Sequence, residues 1–379
     1  MKRALLLVLS VLLLNVVRVH ACVATDDTVA RYAYVAERIH RHQLPGLAPG
    51  HPFDGEWAVV TISSASMAAL QLATTNPSQR TDYARDASDF ARLLASPELR
   101  AYDTKQWGAD AFDSREGHAG YMGHLVLTMD VACLLGGERD EALHAQLADL
   151  LARRVGAGLL ETYPGETYVP DNVVVLAALA QYDACTGTPT HRPLITAWLS
   201  AAKRDWLDEE NGLLTFAPGQ RARGSGAAWN ALYLPLVDEP FAAEQSEKLW
   251  TTFGDTAVGG WLGGIREWPR GTEGGEDVDS GPLVFGISPS ATGYALSDAV
   301  LRDRPERDAL LRTAELTGVT VGGRYLFSPL VGDAITLAAR TATRWPTKPM
   351  SSNQVSITLL APSGRHDQPP RTAAGAVTR

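Results

Sequence analysis

The chain has 379 residues, 45% of them hydrophobic, and a formal net charge of -9 at pH 7. This hydrophobic content is ordinary for a globular protein with a sizeable core, and the length suits one large domain or two smaller ones. An acidic chain presents no basic surface to a phosphate backbone, so nucleic acid is excluded as an expected partner.

The N-terminus has the pattern of an export signal. Lys2 and Arg3 precede a short apolar run that ends in VHAC at residues 19–22. A charged start, an apolar run and a small residue before the cleavage point define a signal peptide, so we predict removal of residues 1–21. VHAC also resembles a lipobox, and a lipid on Cys22 is the only membrane link expected. The mature protein is therefore predicted to be periplasmic, secreted or lipid-anchored to the envelope.

Beyond the signal, helical periodicity dominates and the alternation typical of strands is scarce. Apolar helical segments start near Trp57, His118, Pro170, Gly226, Pro282 and Val331. Amphipathic helices alternate with them at about 27–42, 80–95, 140–155, 190–204, 240–253 and 304–316. This alternation predicts an all-α fold of six helical hairpins, closed into an (α/α)6 toroid over residues 22–349 with the apolar helices inside. An open α-solenoid is the alternative, and the tail at 350–379 is predicted to be disordered.

The connections between these helices are unequal in length. Those that leave the apolar helices are short, whereas those that lead into them are long. The long ones lie at about 43–56, 97–117, 157–169, 205–225, 254–281 and 317–330. Long loops gathered on one side of a scaffold are typical of a functional site. We expect them at the N-terminal ends of the inner helices, where unpaired backbone N–H groups favour anions.

The third long loop, ETYPGETYVPDN at residues 161–172, carries two catalytic candidates, Glu166 and Asp171. A proline followed by Asp171 also suits the first turn of a helix. Capping does not explain Glu166, which lies between Tyr163 and Tyr168 in a rigid, proline-containing segment. We therefore predict that the two tyrosines and Asn172 bind substrate beside these acids.

The fifth long loop belongs to a glycine-rich stretch at residues 261–294 that combines acids with tryptophans. Asp279 is the second leading acid/base candidate, Asp277 its orienting partner, and Glu267 and Trp268 are substrate-binding candidates. Ser280 is the predicted N-cap of the following helix. Clustered acids can also bind calcium, but the loop has no D-x-D-x-D-G pattern, so neither a metal nor a cofactor is predicted.

The second long loop leads to His118, Tyr121 and His124, whose three-residue steps keep them near one face of a helix. They are predicted, with Trp107, to contact substrate, and His124 is also a catalytic candidate. The commoner explanation for histidines on an apolar helix is a structural hydrogen bond, and this is the alternative.

In the fourth loop, Arg223 lies in a glycine-rich turn before Trp229 and Asn230. All three are substrate-binding candidates, since an arginine there could bind a substrate carboxylate or orient a catalytic acid. A structural salt bridge is the alternative for Arg223. No serine-hydrolase elbow, P-loop or dinucleotide fingerprint occurs in the chain.

Cys133 and Cys185 are the cysteines that remain after the predicted signal. Each lies near the end of an apolar helical segment, which suits two small buried side chains. The alternative is a disulfide between them, which the oxidising compartment reached by an exported protein would allow.

Several stretches together resemble a known group of proteins. They are HAGYMGHLVLTMDVACLLGG, LLETYPGETYVPDN, RARGSGAAWNA, GGIREWPRG, EDVDSGPLVFGISPSATGYAL and VGDAITLAARTA. The group is an uncharacterised set of exported bacterial proteins, similar to the linalool dehydratase-isomerase family and, beyond it, to six-hairpin glycosidases. The resemblance implies an (α/α)6 toroid with a central cavity, and His124 matches the family's cavity histidine. Gly165 stands where the family's catalytic cysteine would be expected, so the family's alkenol dehydration mechanism is not carried over.

Carboxylates beside aromatic rings fit a sugar, which offers both hydroxyls and C–H faces. We therefore predict an exported enzyme that acts on a saccharide by hydrolysis or elimination, with Glu166 and Asp279 as acid and base. One alternative is a dehydratase or isomerase of a small alcohol, as in the named family. Another is a glycan-binding or envelope scaffold protein without catalysis.

Overall fold

The computed structural model describes residues 2–44, 54–156 and 158–350. This part of the chain is predominantly helical, as the sequence predicted. Nearly all of the predicted tail at 350–379 and most of the first long loop at 43–56 lie outside the described residues.

The helices alternate between the two predicted types, with an additional helix, α5, inside the second long loop. They are α1 (Lys2–Ala24), α2 (Thr28–His40), α3 (Asp54–Thr75), α4 (Arg80–Leu94), α5 (Pro97–Trp107), α6 (Ala119–Leu135), α7 (Glu141–Val155), α8 (Val169–Thr186), α9 (Arg192–Asp205), α10 (Gly224–Tyr233), α11 (Glu239–Phe253), α12 (Pro289–Leu301), α13 (Arg307–Gly318) and α14 (Leu330–Arg340).

Short strands occupy two of the long connections. The strands are β1 (Gly254–Ala257), β2 (Leu262–Arg266), β3 (Ile287–Ser288), β4 (Thr320–Val321) and β5 (Arg324–Tyr325). The first three form an antiparallel sheet in the order β1-β2-β3, and β4 pairs with β5 in a hairpin.

The apolar helices α3, α6, α8, α10, α12 and α14 form the core. Contacts link α3 to α6, α6 to α8, α8 to α10, α10 to α12, α12 to α14, and α14 back to α3. The amphipathic helices α4, α7, α9, α11 and α13 each pack on the apolar helix that precedes them, and α2 packs on α14 and α3. An all-round apolar helix has to be enclosed, whereas an amphipathic one buries a single face.

The fifth apolar helix begins later than predicted: α12 starts at Pro289, and the prediction near Pro282 was wrong. The intervening residues instead close a tight turn at Gly286, where φ is +81°, and then pair as β3 with β2. Ser288 is the N-cap of α12, and its Oγ accepts a hydrogen bond from the backbone N–H of Ala291 at 3.0 Å. The predicted cap, Ser280, hydrogen-bonds within its own loop.

The N-terminal helix α1 packs on α13 and includes the predicted cleavage point. Val19 is buried, and Nη2 of Arg18 donates a hydrogen bond to the carbonyl oxygen of Glu315 at 2.9 Å. Export and lipidation stay predictions.

Among the helices of the described residues, α3 alone is long and apolar enough to cross a membrane, over Gly55–Thr75. Since its most apolar window is 89% buried inside the protein, α3 has the character of a core helix.

Cys133 on α6 and Cys185 on α8 form a disulfide, with their Cα atoms 5.9 Å apart. Of the two possibilities that the sequence left open, the disulfide is therefore the one that the structure shows, and two free thiols are not present. Both cysteines are buried, and the bond joins two neighbouring core helices near their C-terminal ends. A structural disulfide of this kind is typical of proteins that fold in an oxidising compartment.

Replacing both cysteines by alanine should lower the free energy of unfolding by about 4 kcal/mol. The bond closes a loop with a sequence separation of 52 residues, and a cross-link of that length restricts the unfolded chain by this amount. Urea denaturation of the oxidised protein and the C133A/C185A variant measures the difference. The wild-type protein with its disulfide reduced serves as the control and should resemble the variant. Equal midpoints for oxidised and reduced wild type would contradict the prediction.

Candidate active site

A cavity of about 100 Å³ lies where the first turns of α3, α8 and α10 meet the loops that precede α8 and α12. Four carboxylates line it: Glu56, Glu166, Asp171 and Asp279. Its aromatic walls are Trp57, Tyr163, Tyr168, Phe216, Trp229 and Tyr294. The cavity therefore brings together acids from the third and fifth long loops, as expected from the sequence.

Glu56 lies in the first turn of α3 and accepts a short hydrogen bond from the hydroxyl of Tyr163. Burial raises the pKa of Glu56 to about 8, and the negative charges of Asp171 and Asp279 add to this effect. The hydrogen bond from Tyr163 opposes it by stabilising the charged form. Glu56 is consequently protonated at neutral pH and can give up a proton.

Asp171 lies in the first turn of α8, directly after Pro170, whose fixed backbone angle suits that turn. Its Oδ2 accepts a hydrogen bond of 2.7 Å from the hydroxyl of Thr162, which fixes the carboxyl toward the cavity. Burial raises the pKa of Asp171 to about 6, while the Thr162 hydrogen bond acts in the opposite direction. Asp171 is therefore mostly ionised at neutral pH.

Asp279 enters the cavity from the loop before α12. Burial and the neighbouring charge of Asp277 raise the pKa of Asp279 to about 7, against the opposing effect of Arg223. The pKa of Glu56 is higher than that of Asp279, and the pKa of Asp171 is lower. The cavity therefore holds both protonated and ionised carboxyl groups near neutral pH. Pairs of carboxyls whose environments separate their pKa values are suited to acid and base roles.

Glu166 lines the outer, exposed part of the same cavity. Its Oε2 accepts a hydrogen bond of 2.8 Å from the hydroxyl of Tyr168, whose ring packs on Phe216 with centroids 5.2 Å apart. The predicted acid and its tyrosine are thus a bonded pair at the cavity wall. Solvent reaches Glu166 more freely than the three acids deeper in the cavity.

Arg223 supports the cavity through a buried ionic network. Its Nε donates to Oε1 of Glu267 at 2.7 Å, and its terminal nitrogens donate to both carboxylate oxygens of Asp277 at 2.6 and 2.9 Å. Glu267 is fully buried and also accepts hydrogen bonds from the backbone N–H and hydroxyl of Ser225. Both of its carboxylate oxygens accept hydrogen bonds within this network, and Glu267 does not line the cavity. The prediction that Glu267 binds substrate was therefore wrong.

Asp277 has an orienting position. Although burial acts to raise it, hydrogen bonds from Arg223 and from the backbone N–H of Ser280 lower the pKa of Asp277. The same carboxylate also accepts the backbone N–H of Asp279 at 3.1 Å, so it fixes the turn that carries that residue. An ionised Asp277 beside Asp279 is one reason why Asp279 is hard to deprotonate.

The predicted residues of the second loop lie away from the cavity. His118 is fully buried, where its Nδ1 is 2.6 Å from Oδ2 of Asp103 and its ring stacks on Trp107 at 4.6 Å. The hydroxyl of Tyr121 donates to the carbonyl oxygen of Leu94 at 2.7 Å. Structural hydrogen bonds, the alternative weighed above, therefore hold His118 and Tyr121, while Trp107 is held by ring stacking.

His124 is buried behind the cavity wall, with its ring 5.6 Å from that of Trp229 and its Nδ1 2.9 Å from the Ser63 hydroxyl. Burial lowers the pKa of His124 to about 3, so the imidazole is neutral at neutral pH and cannot act as a cationic proton donor.

Asn172, predicted to bind substrate, instead hydrogen-bonds to backbone groups of Leu160 and Tyr168 and so closes the third loop.

Two further candidates lie outside the cavity lining. Asn230 is buried, and within the described part of the chain its amide makes no hydrogen bond. Trp268 lines a different, open depression on the surface. Of the predicted substrate contacts, Tyr163, Tyr168 and Trp229 are the ones that line the cavity.

Sequence reasoning missed Glu56, the acid with the highest pKa in the cavity. A carboxylate at the start of an apolar helix is ordinarily explained by its favourable interaction with the helix dipole, so its position alone does not indicate a functional role. The signal that could have revealed it is the pair Glu56-Trp57, a charged and an aromatic residue that open an otherwise apolar segment. The lining residues Thr162, Phe216, Ser225 and Tyr294 were also missed.

Glu56→Gln should stabilise the folded protein at high pH. Because the pKa of Glu56 is about 8 instead of 4.5, the folded state binds more protons than the unfolded state between these values. Stability is therefore lost as the pH rises through this range, and glutamine avoids the loss. We expect a gain of about 2 kcal/mol at pH 9, less than the full pKa shift would give, because the side chain is partly exposed and solvent screens its charge. Urea denaturation should show no gain at pH 4, and an equal effect at both pH values would contradict the prediction.

No protein-family model matches this sequence, and a comparison with curated proteins found no match. Within the described residues, no group of three or more His, Cys, Asp or Glu side chains is arranged to hold a metal ion. The function is therefore inferred from the cavity itself.

Proposed function

We propose that the six helical hairpins form an (α/α)6 toroid whose central cavity is the active site. The support for this is the series of contacts from α3 through α6, α8, α10 and α12 to α14, which returns to α3. In an open α-solenoid, the alternative arrangement, the first and last apolar helices would not meet. We also propose that the protein is related to the group of six-hairpin proteins that its sequence resembles.

We propose that the protein is an enzyme that uses carboxylate acid/base chemistry. The observation that carries this is the presence of Glu56, Asp171 and Asp279 in one cavity, each with a raised pKa. Glu56 is the general acid because it holds its proton at neutral pH. Asp279 is the general base, since a base is most effective when its pKa is near the working pH. Asp171 supplies negative charge that stabilises a cationic transition state.

The substrate class that suits this cavity best is a saccharide. Carboxylates can accept hydrogen bonds from hydroxyls, while the rings of Trp57, Trp229 and Tyr294 offer flat apolar faces to the C–H groups of a sugar. The volume of about 100 Å³ is small beside the roughly 300–1,000 Å³ of common ligand pockets. A single terminal unit of the saccharide therefore enters, and the reaction is hydrolysis or elimination at its linkage.

The small volume also favours a second candidate, a dehydratase or isomerase of a small alcohol. Glu56 would protonate the departing hydroxyl, and Asp279 would remove the proton that completes the double bond. The third possibility, a scaffold without catalysis, explains the cavity less well. Buried acids with raised pKa values lower the stability of the folded state at neutral pH, and such groups are concentrated at functional sites.

The test is a substrate panel with the mature protein: neutral, amino-sugar and uronate oligosaccharides, together with small allylic alcohols. Nuclear magnetic resonance of the products separates the candidates. A new reducing end indicates hydrolysis, an unsaturated sugar indicates elimination, and an alkene or a rearranged alcohol indicates the second candidate. Binding without turnover across the whole panel would overturn the enzyme proposal in favour of a binding protein.

A further inference from the structure

An open groove of about 580 Å³ lies on the surface and is lined by Arg266, Trp268, Thr272, Glu273 and Leu283, with Gly274 and Gly286 at its walls. We refer to it as the Trp268 groove. It belongs to the same glycine-rich stretch as Asp279, but the cavity described above does not include it. The sequence singled out Trp268 as a binding residue, and no role in the cavity accounts for it.

The indole of Trp268 is held as a fixed, half-buried surface. Its Nε1 donates a hydrogen bond of 2.9 Å to the carbonyl oxygen of Gly275. The backbone of Gly274 approaches the ring so closely that a Cβ there would lie 2.2 Å from it. Glycine is thus required for this contact, and the ring has little freedom to turn. A preorganised aromatic face loses little entropy when a ligand packs on it.

Arg266 is positioned beside this ring. Its Nε donates to the Trp268 carbonyl oxygen at 3.3 Å, and its Nη1 donates to Asp255 at 3.1 Å and to the Phe285 carbonyl oxygen at 3.2 Å. Its Nη2 lies against Gly286, where a Cβ would be 2.4 Å away. Within the described part of the chain Nη2 donates no hydrogen bond, so it is available to a ligand oxygen.

The edge of the groove carries an exposed aromatic residue. Phe285 is 94% exposed and has φ +53°, a conformation that is unusual for a bulky side chain. Its carbonyl oxygen accepts the hydrogen bond from Arg266, so the turn that exposes the ring also fixes the guanidinium. Strain of this kind is most common at functional sites.

The groove and the cavity are neighbours, because Arg223 lies between their walls. Its guanidinium carbon is 4.0 Å from the ring centre of Phe216, which lines the cavity, and 5.7 Å from that of Trp268, which lines the groove. The same guanidinium bonds to Asp277, two residues before Asp279. Arg223 therefore contacts one wall residue of each site, which places the groove next to the cavity that holds Asp279.

We propose that the Trp268 groove binds the sugar units that follow the terminal unit held in the cavity. One sugar ring packs on Trp268, and Nη2 of Arg266 donates to a hydroxyl or carboxylate oxygen of that unit. This inference rests on the proposed saccharide substrate, and it adds that the natural ligand is an oligosaccharide or polymer. Comparison of neutral with uronate chains identifies which oxygen Arg266 binds.

The test is calorimetric titration of the full mature protein with cello-oligosaccharides, chito-oligosaccharides and oligogalacturonides, and with the corresponding monosaccharides. Trp268→Ala should weaken oligosaccharide binding about tenfold and leave monosaccharide binding unchanged. Trp268→Phe should recover most of the affinity, which separates loss of the ring from misfolding. Trp261→Ala is the matched control, since this half-buried tryptophan of the same stretch lines neither the groove nor the cavity.

Several outcomes separate the groove from the enzyme proposal. Oligosaccharide binding that depends on Trp268 without turnover would support the groove and overturn the enzyme. Turnover with affinities that do not depend on chain length or on Trp268 would overturn the groove alone. Absence of binding across the saccharide panel would overturn the groove proposal, and turnover of a small alcohol would then support the second candidate reaction.

Discussion

Glu56→Gln and Asp279→Asn should each lower kcat by about 10²- to 10⁴-fold, the range that a positioned proton donor or acceptor contributes. The amide keeps the size and the hydrogen-bond acceptor of the carboxyl but can neither give nor take a proton. Folding should be preserved, since in Glu56→Gln the amide oxygen still accepts the hydrogen bond from Tyr163. The measurement is kcat on the substrate that the panel identifies.

The pH dependence of kcat/KM distinguishes the two roles. A base must be ionised, so activity should rise through the Asp279 pKa of about 7; an acid must be protonated, so it should fall above the Glu56 pKa of about 8. The residual activity of Asp279→Asn should lack the rising limb. Glu166→Gln is the control, because this exposed acid should change kcat by less than about tenfold. A larger loss for Glu166→Gln than for Glu56→Gln would reverse the assignment.

Much of the helical arrangement could be predicted from the sequence because it depends on local periodicity. The amphipathic segment at 140–155 became α7 (Glu141–Val155), with Asp140 as its N-cap. The start of α12 could not be predicted in this way. The apolar residues before Pro289 are compatible both with a helix and with a turn followed by a short strand. Pairing of β3 with β2 stabilises the turn and strand here.

The candidate site was predictable where one loop carried the whole signal, as at Asp171 and Asp279. Glu56 was not, because its role depends on Tyr163, a residue 107 positions away in the sequence. Glu267 shows the reverse error. An acid next to a tryptophan suggested a substrate contact, but the partner of Glu267 is Arg223, from another loop. Contacts between distant segments decide which acids face a cavity, and periodicity does not report them.

Arg223→Met should lower the free energy of unfolding by about 3–5 kcal/mol, the cost of leaving one member of a buried ion pair without its partner. Glu267 is fully buried, and Arg223 supplies the positive charge that balances it. In the double variant R223M/E267Q the buried charge is gone, while Ser225 can still donate to the amide oxygen. The double variant should therefore be more stable than Arg223→Met alone, which urea denaturation of both proteins will measure.

The same substitution should also change the pH dependence of the reaction. Arg223 opposes the upward shift of the Asp279 pKa, so its loss should move the rising limb of the pH profile to higher pH. Arg204→Met is the control: this arginine pairs with Asp205 on the exposed surface, so both stability and pH profile should stay nearly unchanged. If Arg223→Met lowers stability but leaves the rising limb in place, Arg223 is only structural and Asp279 is not the base. Movement of the limb would instead tie the buried ion pair directly to the protonation of the catalytic carboxylate.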